Sequence, residues 1–171
     1  MCIRDRYLHR AASSAQLCGL SQAATQRGIL CNDVENQPSA WPRGAQPSLP
    51  LWLATNPHCT PYDPASGEEA RAIVLAGIRA LYVDGKPGFY YLALHDQQRT
   101  ARLDKQDREN ALKGMYPLQR THTGEVRLLG AGRALEDVTH AAQLLEQDWG
   151  VTAQVWSCLL YTSPSPRDVE E

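Results

Sequence analysis

"EVRLLGAGRALEDVTHAAQLLEQDWGVTAQVW", residues 125–156, changes its hydrophobic rhythm twice, and those changes decide the fold. Residues 126–130 form a short, largely apolar run closed by Gly130, the pattern of a buried strand. Behind it Leu135, Val138, Ala142, Leu145 and Trp149 recur at helical spacing and make one apolar stripe, and Gly150 stands where a C-terminal cap belongs. Residues 151–156 resume the apolar run and begin a second strand. Strand, helix and strand in this order form a βαβ unit, expected to be parallel and right-handed.

A similar unit precedes it. Ser66 with Glu69 three residues later is a capping-box signature, and Ala70, Ile73, Val74, Gly77, Ile78 and Leu81 follow at helical spacing, which predicts a helix over residues 67–82. The run from Asp84 to Gly88, "DGKPG", supplies turn chemistry, and "FYYLAL" (Phe89–Leu94) is a continuous apolar run of strand length. A strand without alternation is buried on both faces, as in a parallel sheet.

The flanks are less ordered in pattern. Residues 95–110, "HDQQRTARLDKQDREN", are polar and mixed in charge and read as an exposed linker. Residues 7–30 are rich in Ala, Ser and Gln and read as a helix running into a stop at Arg27 and Gly28. Residues 32–57 hold Pro38, Pro42, Pro47, Pro50 and Pro57, which fix φ and remove donors, so loop is expected there.

The two ends read as something other than a fold. Residues 1–6, "MCIRDR", can be written ATG TGT ATA AGA GAC AG, a transposon end used as a sequencing adapter. Residues 158–168, "CLLYTSPSPRD", translate its reverse complement with the adapter bases that follow. On this reading residues 1–6 and 158–171 are adapter translation, and segments of that origin are set aside in fold reasoning. The window between them loses Arg4, Arg6 and Arg167 from 17 basic residues and Asp5, Asp168, Glu170 and Glu171 from 19 acidic ones, which leaves 14 against 15. Such near-neutrality offers no basic face for nucleic acid. Cys18, Cys31 and Cys59 remain inside the window, too scattered for a disulfide framework or a zinc site, so a reducing cytoplasm is expected. No run reaches the roughly 18 apolar residues of a membrane span, so no membrane partner is expected.

In order and spacing, "YDP" (residues 62–64), the helix after it, "FYYLAL", "ENALKGMYPL" (residues 109–118), "VRLLGAGRAL" (residues 126–135) and "AAQLLEQDWGVTAQVWS" (residues 141–157) resemble the homodimeric bacterial type of pyruvate dehydrogenase, the decarboxylating first component of that complex. The resemblance runs over residues 57–157 and covers a middle-to-late portion of the much longer family chain. It implies an α/β, transketolase-like fold: residues 7–100 as the latter part of a pyrimidine-binding domain, residues 101–123 as a linker and residues 124–157 as the start of the carboxy-terminal transketolase domain. It further implies a homodimer using thiamine diphosphate and Mg²⁺, with pyruvate as substrate and a lipoyl-bearing acyltransferase as partner; the hard chemistry would belong to the cofactor. A non-catalytic dimerisation or lipoyl-docking paralogue, or a dehydrogenase for another 2-oxo acid, is the alternative.

Two departures bear on the site. Where the family has a Gly-Leu-Gln-His-Glu-Asp-Gly-His-Ser-His-Leu stretch, this chain has Arg43, Gly44, Ala45, Gln46, Pro47, Ser48 and Leu49. The codons GCA CAG CCA TCT CTT for residues 45–49, read one base later, give His-Ser-His-Leu, so a frameshift and a real loss both stand. The family's "NENY" is replaced by His95, Asp96, Gln97 and Gln98, and its diphosphate-and-metal motif and activating Glu would lie upstream of Tyr7. No catalytic, cofactor-binding or metal-ligating residue is therefore carried over.

The remaining chemistry-bearing residues each have a bland reading. Gly130 and Gly132 lack the third glycine of a dinucleotide fingerprint and read as a tight strand-to-helix turn. His58 and Cys59 with Cys31 could form a metal corner, but read more simply as a loop histidine and buried thiols. His95 ends a buried strand, where it either meets a ligand or only terminates the strand. His140 lies off the apolar stripe, Trp41, Trp52, Trp149 and Trp156 read as packing residues, and Asp104, Lys105, Asp107, Arg108 and Glu109 read as a solvated linker face.

Overall fold

In the computed structural model the structure describes residues 27–34, 53, 56, 58–96, 102–119, 124 and 126–160. Two three-stranded sheets organise them. The first has β1 (Gly28–Asp33), β3 (Phe89–Leu94) and β2 (Cys59–Tyr62) in the spatial order β1-β3-β2, all parallel. The second has β4 (Met115–Pro117), β6 (Ala153–Cys158) and β5 (Val126–Gly130) in the order β4-β6-β5; β5 runs parallel to β6 and β4 antiparallel.

"FYYLAL" is the central strand of the first sheet, with Phe89, Tyr91, Leu92 and Ala93 buried, so its unbroken apolar run follows from neighbours on both edges and cover on both faces. Helix α1 (Gly67–Ile78) links β2 to β3 and continues as a π-helical turn, Arg79–Val83, which together fill the expected 67–82 span. Ser66 Oγ accepts the Glu69 N–H at 3.3 Å, as the capping signature requires. The Glu69 carboxylate reaches back one residue further than the motif predicts and accepts the Ala65 N–H at 2.6 Å.

Helix α3 (Ala134–Trp149) connects β5 to β6, and the βαβ expectation holds in its order and parallel pairing. Its cap Gly150 is left-handed, at φ 66°. Leu135 is fully buried and Val138, Ala142 and Leu145 are half-buried, whereas Trp149 is 77% exposed. That corrects its assignment as a packing residue. His140 is exposed, as expected, and Trp156 is half-buried, its indole N–H donating to Gln154 Oε1 at 3.0 Å.

One further expectation gives way. Residues 28–33 form a strand where the sequence reads a helix stop and the beginning of loop. Asn32 interrupts the apolar run, but its Nδ2 donates to Tyr91 Oη at 2.7 Å across the sheet, a partner 59 residues away. The expected linker contains helix α2 (Lys105–Lys113), capped by Asp104 Oδ1 accepting the Asp107 N–H at 2.7 Å and by left-handed Gly114, and then β4. Charged α2 buries only Ala111, which joins Leu103, Ile73, Leu92 and Tyr62 in the main core.

Residues 158–160, set aside on the codon reading, are part of the fold. Cys158 closes β6 opposite Met115, Leu159 is fully buried in the same core, and Leu160 bridges to Tyr62. An apolar Leu-Leu pair following a strand packs according to its side chains whatever its codon history. Residues 1–6, 7–26, 43–49 and 161–171, with Trp41, Trp52, Gln97 and Gln98, lie outside the described residues.

Candidate functional site at the strand ends

Parallel strands present ligands with the crevice at their carboxyl ends. In the first sheet β2 and β3 end side by side, with Asp63 following Tyr62 and His95 following Leu94. The two side chains meet: His95 Nε2 lies 2.6 Å from Asp63 Oδ1, and they are 9% and 11% exposed. An ionised Asp63 accepts the Nε2 proton, which fixes the ring tautomer and orientation. The sequence leaves His95 as ligand contact or strand terminator; the structure places its ring in hydrogen-bonding contact with Asp63, within "YDP". No local signal announces the pair, since 32 residues separate its members.

The turn after β5 closes over this pair. Gly132 N–H donates to the Asp63 carbonyl at 3.2 Å, and Gly132 has φ 47°. A Cβ on Gly132 would strike Asp63 Oδ1 and lie 2.6 Å from His95 Nε2. Here glycine is needed twice, for the left-handed backbone and for the close approach. The Gly130–Gly132 turn thus serves packing between the two units, in keeping with its reading as a structural turn.

Six residues along, Glu69 is buried to 1% exposure. Besides the Ala65 N–H, its carboxylate accepts the Tyr116 hydroxyl at 2.6 Å and the Ser157 hydroxyl at 2.8 Å, both on Oε1. Burying a carboxylate is expensive unless donors replace water, and three donors do so here. Tyr62 Oη donates to the Leu112 carbonyl at 2.9 Å while its ring stacks on Tyr90 at 5.9 Å, so residues 62–69 contact β4, β6, α2 and the β5–α3 turn together.

The cysteine–histidine corner does not assemble: β3 separates Cys31 on β1 from Cys59 on β2. The backbone N–H of His58 donates to Asn56 Oδ1 at 3.0 Å. Burial pushes the Cys59 thiol up to about 12 and raises Cys31, which keeps both protonated at neutral pH. Among the described residues no group of three or more His, Cys, Asp or Glu gathers to hold a metal ion, and no helix is long and apolar enough to cross a membrane.

With parallel strands, crossover helices and functional groups at the strand ends, the chain has a transketolase-like α/β fold. A transketolase from Pichia stipitis superposes with a TM-score of 0.66 over 90% of this chain and 23% of that one, at 19% sequence identity. By sequence the chain is similar to bacterial pyruvate dehydrogenase E1 components, which are enzymes. It is 27% identical over 154 residues to the one from Cupriavidus necator, covering 85% of this chain, and 34% identical over 113 residues to the one from Mycolicibacterium smegmatis, covering 63%. It spans 17% and 12% of the length of those two relatives. No protein-family model matches the chain.

Proposed function

We propose that this chain is a segment of a thiamine-diphosphate-dependent 2-oxo acid dehydrogenase component acting on pyruvate, which decarboxylates the oxo acid and passes the acyl unit to a lipoyl group on an acyltransferase partner. The observation that carries this reading is the collinear similarity to E1 components across both α/β units. The parent protein is cytoplasmic and works as a homodimer. In keeping with a larger assembly, Leu75, Tyr82 and Val83 stand 57%, 62% and 75% exposed along α1 and its π-helical turn.

Mg²⁺ does not fit the carboxylates described here. Asp63 and Glu69 are the carboxylates buried in this region, and both are engaged, one by His95 and the other by two hydroxyls and a backbone N–H. The cofactor's diphosphate and metal belong to chain upstream of Tyr7 in this proposal, and no chemical step is assigned to the described residues. What they contribute is shape: a strand-end wall whose backbone is fixed by the Asp63–His95 pair and the Gly132 turn. One observation favours an altered substrate as the second reading. The position of the family's "NENY" begins here with a histidine drawn into a buried pair.

The test is recovery of the gene by long reads across residues 1–7, 43–49 and 157–171, then expression of the recovered protein with thiamine diphosphate and Mg²⁺. Pyruvate-dependent CO₂ release with transfer to a lipoyl acceptor supports the proposal. Turnover of a different 2-oxo acid supports the second reading. A genomic frame that starts and stops with these termini, without decarboxylation of any 2-oxo acid, overturns both.

A further inference from the structure

A glutamate at the third position of a helix caps its own turn with a carboxylate that can stay in water. Glu69 caps with one oxygen, Oε2, and is nevertheless almost completely buried. The other oxygen explains the burial. Oε1 takes the Tyr116 hydroxyl from β4 and the Ser157 hydroxyl from β6, residues 47 and 88 positions away and on both paired strands of the other sheet. We propose that Glu69 is a latch that docks the second α/β unit onto the first, with capping confined to Oε2 and docking to Oε1.

The neighbouring contacts fall on the same short segment. Asp63 N–H donates to the Leu159 carbonyl at 2.7 Å, the Asp63 carbonyl accepts the Gly132 N–H, and Tyr62 pairs with Leu160. Residues 62–69 therefore form the joint, and Glu69 is its charged member with hydrogen bonds into the second sheet. Because Asp63 on this joint also holds His95, the seating of the second unit and the geometry of the strand ends share one rigid piece of backbone. A charged acceptor facing two hydroxyls is directional, so it fixes one seating where apolar packing alone would tolerate several. The latch is independent of which reaction the parent protein performs.

The experiment compares hydrogen exchange, read by mass spectrometry, in the full 171-residue chain and in Y116F/S157A, which empties Oε1 of its two donors and leaves the Ala65 cap. The reporters are β5 and α3, which carry no substitution. Expected is exchange about tenfold faster or more in β5 and α3, with β3 and the first turn of α1 within about twofold of the parent chain. A uniform acceleration of β3 together with β5 and α3 overturns the latch, since it marks Glu69 as an ordinary part of one cooperative core. Unchanged β5 and α3 also overturn it. Should the double variant fail to fold, S157A alone carries the test, with about three- to fivefold faster exchange expected in the same reporters and the same two outcomes overturning the proposal.

Discussion

Leu159→Ala is the most informative single substitution, because the codon reading and the structure give that residue opposite standing. Leu159 is fully buried among Tyr62, Ile73, Leu92, Leu103 and Tyr116, its N–H donates to the Gly114 carbonyl at 2.7 Å, and its carbonyl accepts from Asp63. The substitution keeps those backbone bonds and removes the buried isopropyl group beyond Cβ. Lost transfer energy plus the cavity left between β6, α1 and α2 puts the cost at about 3 kcal/mol, within the 2–5 kcal/mol of buried leucine truncations. With a urea slope of about 2 kcal/mol/M for a small protein, the midpoint falls by roughly 1.5 M with the slope unchanged. Equilibrium urea unfolding followed by tyrosine and tryptophan fluorescence measures both quantities. A loss below about 1 kcal/mol would show that the chain after β6 is not core.

Gly132→Ala forces a Cβ into Asp63 and His95 at positive φ, and an expected loss of about 2–4 kcal/mol in thermal or urea unfolding combines left-handed strain with overpacking; a neutral result would mean that the β5–α3 turn does not sit on the pair. Removing one member of that pair leaves the other sealed from solvent, so D63A and H95A should each cost about 3 kcal/mol, while the double variant costs clearly less than their sum. Additive losses in that double-mutant cycle would refute a direct pairing. Cys59, held up to about 12 by burial, should react with iodoacetamide at pH 8 hundreds of times more slowly in the folded chain than in urea; equal rates would place it outside the sheet. Tyr62 is also pushed up to about 12, by burial and then by Tyr90. The unfolded chain loses these protons from its ordinary Cys and Tyr values of 9.0 and 10.0, whereas the folded chain keeps them. Their stabilising contribution is therefore complete below pH 9.0 and is lost as pH rises towards about 12, which unfolding followed across that range can check.

What the sequence made legible was set by how local the signal is. The βαβ unit and the helix after Ser66 are written in spacing and in caps, which act within a few residues, and both were readable. Strand β1 was not, because its buried Asn32 finds a partner in the Tyr91 hydroxyl on β3, far away in sequence. Helix α2 carried its own marks, Asp104 three residues before Asp107 and Gly114 beyond the last turn. Its charge density hid them, since Ala111 is its one fully buried residue and Leu112 alone packs beside it on the core. The site fared worst. Asp63 with His95, and Glu69 with Tyr116 and Ser157, join residues 32 to 88 positions apart, so composition and periodicity carry no trace of them. Resemblance to a known family could align the residues around them but assigned them no role.

The antiparallel β4 gives the second sheet a direction of growth. It is three residues long and ends in Pro117, which has no N–H to offer a neighbour, so that margin is a poor template for another strand. The opposite margin, β5, is five residues long and carries half-buried Leu128 and exposed Val126 and Leu129. Among the described residues that side is the one open to strand recruitment, whether from elsewhere in the same polypeptide or from a second molecule during misassembly. A charged substitution at Leu129 is accordingly the place to begin if the chain proves hard to keep in solution.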